Sequence, residues 1–171
     1  MKTTDESLKL RPLEPEDLDF LYSLENDSDM WLVSGTNVPY SKYSLTNYIM
    51  TNTSDIYTDK QVRLVMENLN GEPVGLLDIF NFDPRHLRAE IGIAVTKSQR
   101  HHGYGQIAVK KVIQYSKTIL HLRQIYAMVD IDNTLSLKMF QSCGFSVGAT
   151  LKDWVFIGNT FRDVAVLQLF L

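Results

Sequence analysis

Arg100, His101, His102, Gly103, Tyr104 and Gly105 stand together directly ahead of a segment with helical periodicity. Two glycines one residue apart, between a strand and a helix, leave backbone N–H groups open at the helix N-terminus. That end carries partial positive charge and binds anions, phosphate above all. A side chain would keep an anion away from the backbone, which is a reason for glycine. Arg100 adds a full positive charge, and His101 and His102 add partial charge below neutral pH. A plain loop and helix cap is the bland alternative. A metal site is not expected, because adjacent histidine side chains diverge and Cys143 is the only thiol. The nucleotide loops G-x-x-x-x-G-K-S/T and G-x-G-x-x-G are absent, position 108 being Ala.

The elements that must position this stretch follow from periodicity. Leu8 to Leu13 alternates as a strand, and Pro15 suits a first helical turn before Leu18, Leu21 and Tyr22. Seven carboxylates fall between Glu14 and Asp29, which reads as a solvated helix face with acids favoured near its start. Ser44 to Met50 suggests a short helix. Gln61–Glu67 and Val74–Phe80 read as strands around the hairpin signal Asn70-Gly71, and Arg88–Val95 as a third strand. Ala108, Val112, Tyr115 and Ile119 mark an amphipathic helix. Ile125–Ile131 is a strand, Asp132 or Asn133 a helix cap, Ser136–Ser142 a helix, and Gly144 its left-handed end. Phe145–Leu151, Trp154–Ile157 and Phe161–Phe170 are strands, with Gly158-Asn159 as a turn. This order gives an α/β chain on a mixed sheet.

At 171 residues one domain, 1–171, is expected. A net charge of −3 argues against a general nucleic-acid partner. The N-terminus has no apolar signal region, and apolar runs of about five residues are too short for a membrane span. With one cysteine no internal disulfide is expected, and the reading is a cytoplasmic protein.

Arg100, Gly103 and Gly105 form R-x-x-G-x-G after a strand, and Asn133, Ser136, Phe140, Gly144 and Phe145 fall into N-x-x-A/S-x-x-x-Y/F-x-x-x-G-F. Together these resemble the GNAT superfamily of acyl-CoA-dependent N-acetyltransferases. Four further segments extend the resemblance over nearly the whole chain: KLRPLEPEDLDFLY, NLNGEPVGLLDI, RAEIGIAV and WVFIGNTFRDVAVLQL. The last resembles the terminal hairpin of the branch that contains spermidine N-acetyltransferases and ribosomal-protein N-terminal acetyltransferases.

The resemblance implies a mixed, mostly antiparallel sheet of about seven strands flanked by about four helices, splayed in the middle for acyl-CoA. It implies acetyl-CoA as co-substrate and no metal. The backbone of Gly92, Ile93, Ala94 and Val95 would pair with pantetheine. The amides of Arg100, His101, His102, Gly103, Tyr104, Gly105 and Gln106 would hold the diphosphate. Asn133 would bond near the pantetheine, and Leu137 and Phe140 would flank the thioester. The expected activity is transfer of an acetyl group to a primary amine, on a small molecule such as a polyamine or on a protein N-terminus, in a homo-oligomer.

Such chemistry needs a base for the ammonium and is helped by a donor to the departing thiolate. Glu90 is the first candidate base, resembling an acidic position in the spermidine-acetylating branch. Asp78 is the second and His86 the third. A salt bridge from Glu90 to Arg88 or Arg85 is the plain structural alternative. Many family members carry a Tyr acid where this chain has Phe140. Three readings follow: the thiolate leaves unassisted; Tyr126, Ser136 or Cys143 substitutes; or the chain is an acyl-CoA-binding regulator with little catalysis. Cys143 itself reads as helix-end packing rather than a nucleophile. The stretch from Trp31 to Ser54 has no acid, unlike the polyamine branch, so spermidine is expected to be a poor acceptor unless acids such as Glu25, Asp27 and Asp29 serve instead.

Overall fold

In the computed structural model, which describes residues 6–34, 38–53 and 55–171, seven strands make one sheet. They are β1 (Leu8–Pro12), β2 (Val62–Asn68), β3 (Pro73–Asp83), β4 (Arg88–Val95), β5 (Gln124–Asp130), β6 (Ser146–Ile157) and β7 (Thr160–Phe170), in the spatial order β1-β2-β3-β4-β5-β7-β6. Every neighbouring pair is antiparallel except β4 and β5, which run parallel. The helices are α1 (Leu18–Glu25), α2 (Ser28–Ser34), α3 (Lys42–Thr51), α4 (Ile56–Asp59), α5 (Tyr104–Thr118) and α6 (Thr134–Ser142). The mixed, mostly antiparallel sheet is the expected one. The short α2 and α4 lie where the sequence shows no clear period. Of the acid-free stretch 31–54, residues 35–37 and 54 lie outside the described residues.

Strand alternation sorts side chains onto two faces. Leu77, Ile79, Ala89, Ile91, Ile125, Ala127, Val129 and Leu167 pack with α5 and α6 in the larger core. Val65, Leu76 and Ala94 face the other way, against Leu21 and Leu24 of α1 and Leu45 of α3. On α5 the buried stripe Ala108, Val109, Val112 and Ser116 has helical spacing. Val109 and Val112 are fully buried, and each contributes ~1.5–3 kcal/mol. At the far edge Arg11 joins three elements: its guanidinium donates to both Asp17 oxygens at 2.7 and 2.8 Å and also pairs with Glu67 of β2.

The hairpin from β6 to β7 turns on Gly158 (φ +59°) and Asn159 (φ +67°), between the paired Ile157 and Thr160. Two successive left-handed residues match the twist of the strands they join. The feature that builds a site is the pairing of β4 with β5. It runs only from Arg88–Gln124 to Glu90–Tyr126 and then stops. Beyond that point β4 continues on β3 and β5 on β7, so the sheet divides down its middle.

Candidate active site

Where β4 and β5 part, a cavity of about 950 Å³ opens, within the range of small-molecule sites. The free edge of β4 forms one wall, with Ile91, Gly92, Ile93 and Ala94 lining it. This edge carries backbone donors and acceptors that β5 no longer takes. Gly92 keeps the wall thin, since a Cβ there would lie 3.3 Å from the Phe80 ring. Val95 is placed differently from these four. It packs against the larger core, and its carbonyl accepts from Arg100 Nε at 3.2 Å.

From α6 the cavity takes Asn133, Ser136 and Phe140. Asn133 caps the helix, its Oδ1 accepting the Ser136 N–H at 3.2 Å, so its NH₂ is the part available to a ligand. Phe140 is buried and meets Phe145 edge-on with centroids 5.2 Å apart. Leu137 packs against the larger core behind this wall.

The loop ahead of α5 has the geometry that its glycines suggest. Gly103 caps the helix at φ +80° and His101 is also left-handed at φ +66°. The first bond from the cap runs from Ile107 N–H to Gly103 O at 3.2 Å, leaving the amides of Tyr104, Gly105 and Gln106 ahead of it as the open donors of a helix N-terminus. Gly105 faces the side chains of Ile93, Val95 and Met139 at ordinary contact distance. The His102 ring stacks on Tyr104 at 5.9 Å, with Nδ1 2.9 Å from the Arg100 carbonyl. Residues 100–106 do not themselves line the cavity; Gly105, packed on Ile93, sets the start of α5 beside its β4 wall.

The base candidates differ in their surroundings. Glu90 lies at the last β4–β5 pair, buried, in the cavity wall. Its Oε2 accepts from Asn81 Nδ2 at 2.9 Å, and Tyr126 is its partner across the β4–β5 pair. Burial pushes the Glu90 carboxyl above its ordinary value, and the bond from Asn81 and the neighbouring Tyr126 hydroxyl pull against that. No ion pair to Arg88 or Arg85 is present; Arg88 pairs with Asp83 at 3.4 Å instead. Asp78 also lines the cavity, but both its oxygens accept from Arg63, each at 2.8 Å. Arg63 also donates to Glu25 at 2.6 Å and lies over the Tyr48 ring. Burial works against the Arg63 charge, yet Asp78, Tyr48 and Glu25 outweigh it and hold the guanidinium protonated. His86 sits exposed in the β3–β4 turn, its backbone N–H bonded to Asp83.

Among the three substitute donors, Ser136 alone lines the cavity. Burial, and then the Glu90 carboxylate, raise the Tyr126 hydroxyl. Cys143, raised by burial, rests its sulfur 3.8 Å from the Gln106 carbonyl. Sequence reading missed Asn81, Arg63, Asp130, Arg162 and Trp154. Only Asn81 carried a local signal, since asparagine is depleted in strands. The cavity wall holds five carboxylates (Asp29, Asp78, Glu90, Asp130 and Asp132) and two guanidinium groups (Arg63 and Arg162). Arg162 lies 3.2 Å from Asp130 and 3.5 Å from Asp132. Glu25 and Asp29 are engaged as well, with Arg63 and Lys97.

A sheet divided at β4 and β5, with the open start of α5 packed beside the β4 wall, is the architecture of an acyl-CoA-dependent transferase. The chain belongs to the acetyltransferase (GNAT) domain family, whose model matches residues 7–146. It is therefore an N-acetyltransferase with acetyl-CoA as donor. The spermidine N(1)-acetyltransferase of Escherichia coli (strain K12) is 29% identical over 171 residues, covering 96% of this chain and 86% of that protein. The crystal structure of spermidine N-acetyltransferase from Vibrio cholerae in complex with CoA and spermine superposes with a TM-score of 0.88 at 26% identity, over 97% of this chain and 96% of that one. A dodecameric structure of the Vibrio cholerae enzyme gives a TM-score of 0.82 at 25% identity, over 97% and 95%.

Proposed function

We propose that this enzyme acetylates a primary amine of a small polycationic acceptor, a polyamine. The observation that carries the reading is the excess of carboxylates in the cavity wall, five against two guanidinium groups. A field of that sign gathers a ligand with several ammonium groups more strongly than one with a single charge. These acids come from α2, β3, β4, β5 and the residues just after β5, and so lie outside the acid-free stretch 31–54. The expectation of a poor polyamine acceptor rested on that stretch alone. The spermidine-acetylating relatives support the same reading. A peptide N-terminus brings one ammonium and gains less from the field.

In this reading Glu90 takes a proton from the attacking ammonium, directly or through a water. Its raised pKa suits that task, because a base works best with a pKa near the operating pH. The free amine nitrogen bonds to the thioester carbonyl carbon, the carbon–sulfur bond breaks, sulfur leaves as thiolate, and the second proton on nitrogen passes to solvent water as the amide forms. An ordinary thiol pKa of about 8.5 makes departure without a donor tolerable, in keeping with Phe140 in the wall. Asp78, held by Arg63, shapes the acceptor side instead of taking the proton. Gly92, Ile93 and Ala94 offer backbone to the pantetheine, while the Val95 carbonyl is taken by Arg100. Arg100, His101, His102, Gly103, Tyr104, Gly105 and Gln106 surround the diphosphate, and Asn133 and Phe140 frame the thioester end, with Leu137 packed behind them. Exposed Phe156 and Phe161, with Trp154 on the same hairpin, suit a contact between copies of the chain.

The test is a thiol-release screen with acetyl-CoA over polyamines, amino acids, aminoglycosides and short peptides. A polyamine ranking first by kcat/KM is the expected outcome. A peptide or an amino acid ranking first, with polyamines inert, overturns the proposal.

A further inference from the structure

The β3–β4 ladder is irregular at one place. Phe80 pairs with Glu90 and Asp83 with Arg88, so three steps on β3 match two on β4. The bulge contains Asn81, left-handed at φ +49°. Asparagine tolerates that conformation better than other residues with a side chain, glycine apart. In a regular strand residue 81 would face away from Phe80 and its partner Glu90. A bulge re-aims side chains, and here it turns the Asn81 amide onto the Glu90 carboxylate, 2.9 Å from Oε2. The contact joins residues nine positions apart at the place where the sheet divides.

We infer that Asn81 is a positioning residue for acetyl transfer: the bulge delivers its side-chain amide to Glu90, where it fixes the carboxylate and favours its ionised form. The inference rests on the reading of Glu90 as the base. Asn81 does not line the cavity, so it acts through Glu90. Around the carboxylate, β5 contributes Tyr126, its register partner, and β7 contributes the neutral Gln168 opposite Tyr126. On β4 the nearest charge is Arg88, already paired with Asp83 of β3. Asp78, two residues before Phe80 on β3, is held by Arg63. Asn81 is therefore a neutral donor, bonded to the carboxylate, that works against burial without bringing a charge to the site.

The test uses Asn81→Gly, Asn81→Asp and Glu90→Gln in the full chain, each followed by kcat and kcat/KM against pH. Glycine keeps the left-handed backbone and removes the donor. Aspartate keeps the shape, removes the donor and adds a like charge. The acidic limb of kcat/KM should move up by about one pH unit or more in Asn81→Gly, from the loss of a bond to a charged group. It should move further in Asn81→Asp. The loss should fall on kcat more than on KM, and the melting shift with acetyl-CoA should persist. If Asn81→Asp fails to fold, Asn81→Gly carries the test alone. A limb unmoved in Asn81→Gly, while Glu90→Gln abolishes turnover, overturns the role of Asn81 and leaves Glu90 as the base. Full activity in Glu90→Gln removes the base assignment itself.

Discussion

Gly103→Val separates backbone strain from ligand binding. Gly103 stands at φ +80°, and a Cβ there meets nothing within 4 Å. The apo protein should therefore lose only the cost of a left-handed residue with a side chain, ~1–2 kcal/mol. For a chain of this length that is a fall in Tm of about 2–8 °C, at about 2–4 °C per kcal/mol. The larger effect should be on acetyl-CoA. At a hundredfold excess over Kd a ligand stabilises the native state by ~2.7 kcal/mol, a wild-type gain of about 5–11 °C. A valine over the open amides of α5 blocks the diphosphate. A hundredfold weaker Kd would leave ~0.4 kcal/mol, a gain of about 1 °C. Gly71→Val is the control, because Gly71 has φ +77° and equally open space but lies in the β2–β3 turn and not at the start of α5. It should lose similar stability and keep the ligand shift. The assay is thermal unfolding with and without acetyl-CoA. A full ligand shift in Gly103→Val would refute the placement of the diphosphate at this helix start.

Three further outcomes are expected. Asp17→Asn removes a buried partner of Arg11 and should cost about 1.5–3 kcal/mol in denaturant unfolding. Arg11 holds the Asp17 carboxyl below its ordinary value, so this stability is present above a pH of about 4 and is lost as pH falls through the depressed value; an equal deficit at pH 2.5 and pH 7 would contradict it. Glu90→Gln should abolish turnover yet raise Tm at pH 8, since burial raises the Glu90 pKa and wild type loses that contribution as pH rises through it; a lower Tm at pH 8 would count against this. Phe140→Tyr should speed thiol release by less than the ~10² of an evolved acid, and a slower variant would point to a donor already present.

Much of the sheet was legible because its strands alternate cleanly. The Arg88–Val95 strand matches its expected bounds, and the turns at Asn70-Gly71 and Gly158-Asn159 stand where left-handed residues are needed. Gly144, at φ +98°, ends α6 as expected. The two strands read at Phe145–Leu151 and Trp154–Ile157 are one, β6. Its register shift between Leu151 and Val155 interrupts the alternation, and Asp153 is left-handed there, its N–H bonded to Asp163. At the site, the strand, the glycines and the α6 motif are local patterns and could be read. The partners of the carboxylates could not. Asp78 looks like a free acid until Arg63, fifteen residues earlier, folds against it. Asn81 gains its purpose only from the register of β3 on β4.

The central claim, an acidic cavity that selects a polycationic amine, is tested most directly by kcat/KM for spermidine against a linear monoamine, at low and high salt. Two additional ammonium groups, each worth ~0.5–1 kcal/mol in a partly exposed acidic field, predict a preference of roughly 5–30-fold at low salt. That preference should shrink as salt screens the cavity. A monoamine used as well as spermidine at low salt, or a preference untouched by salt, would contradict the account.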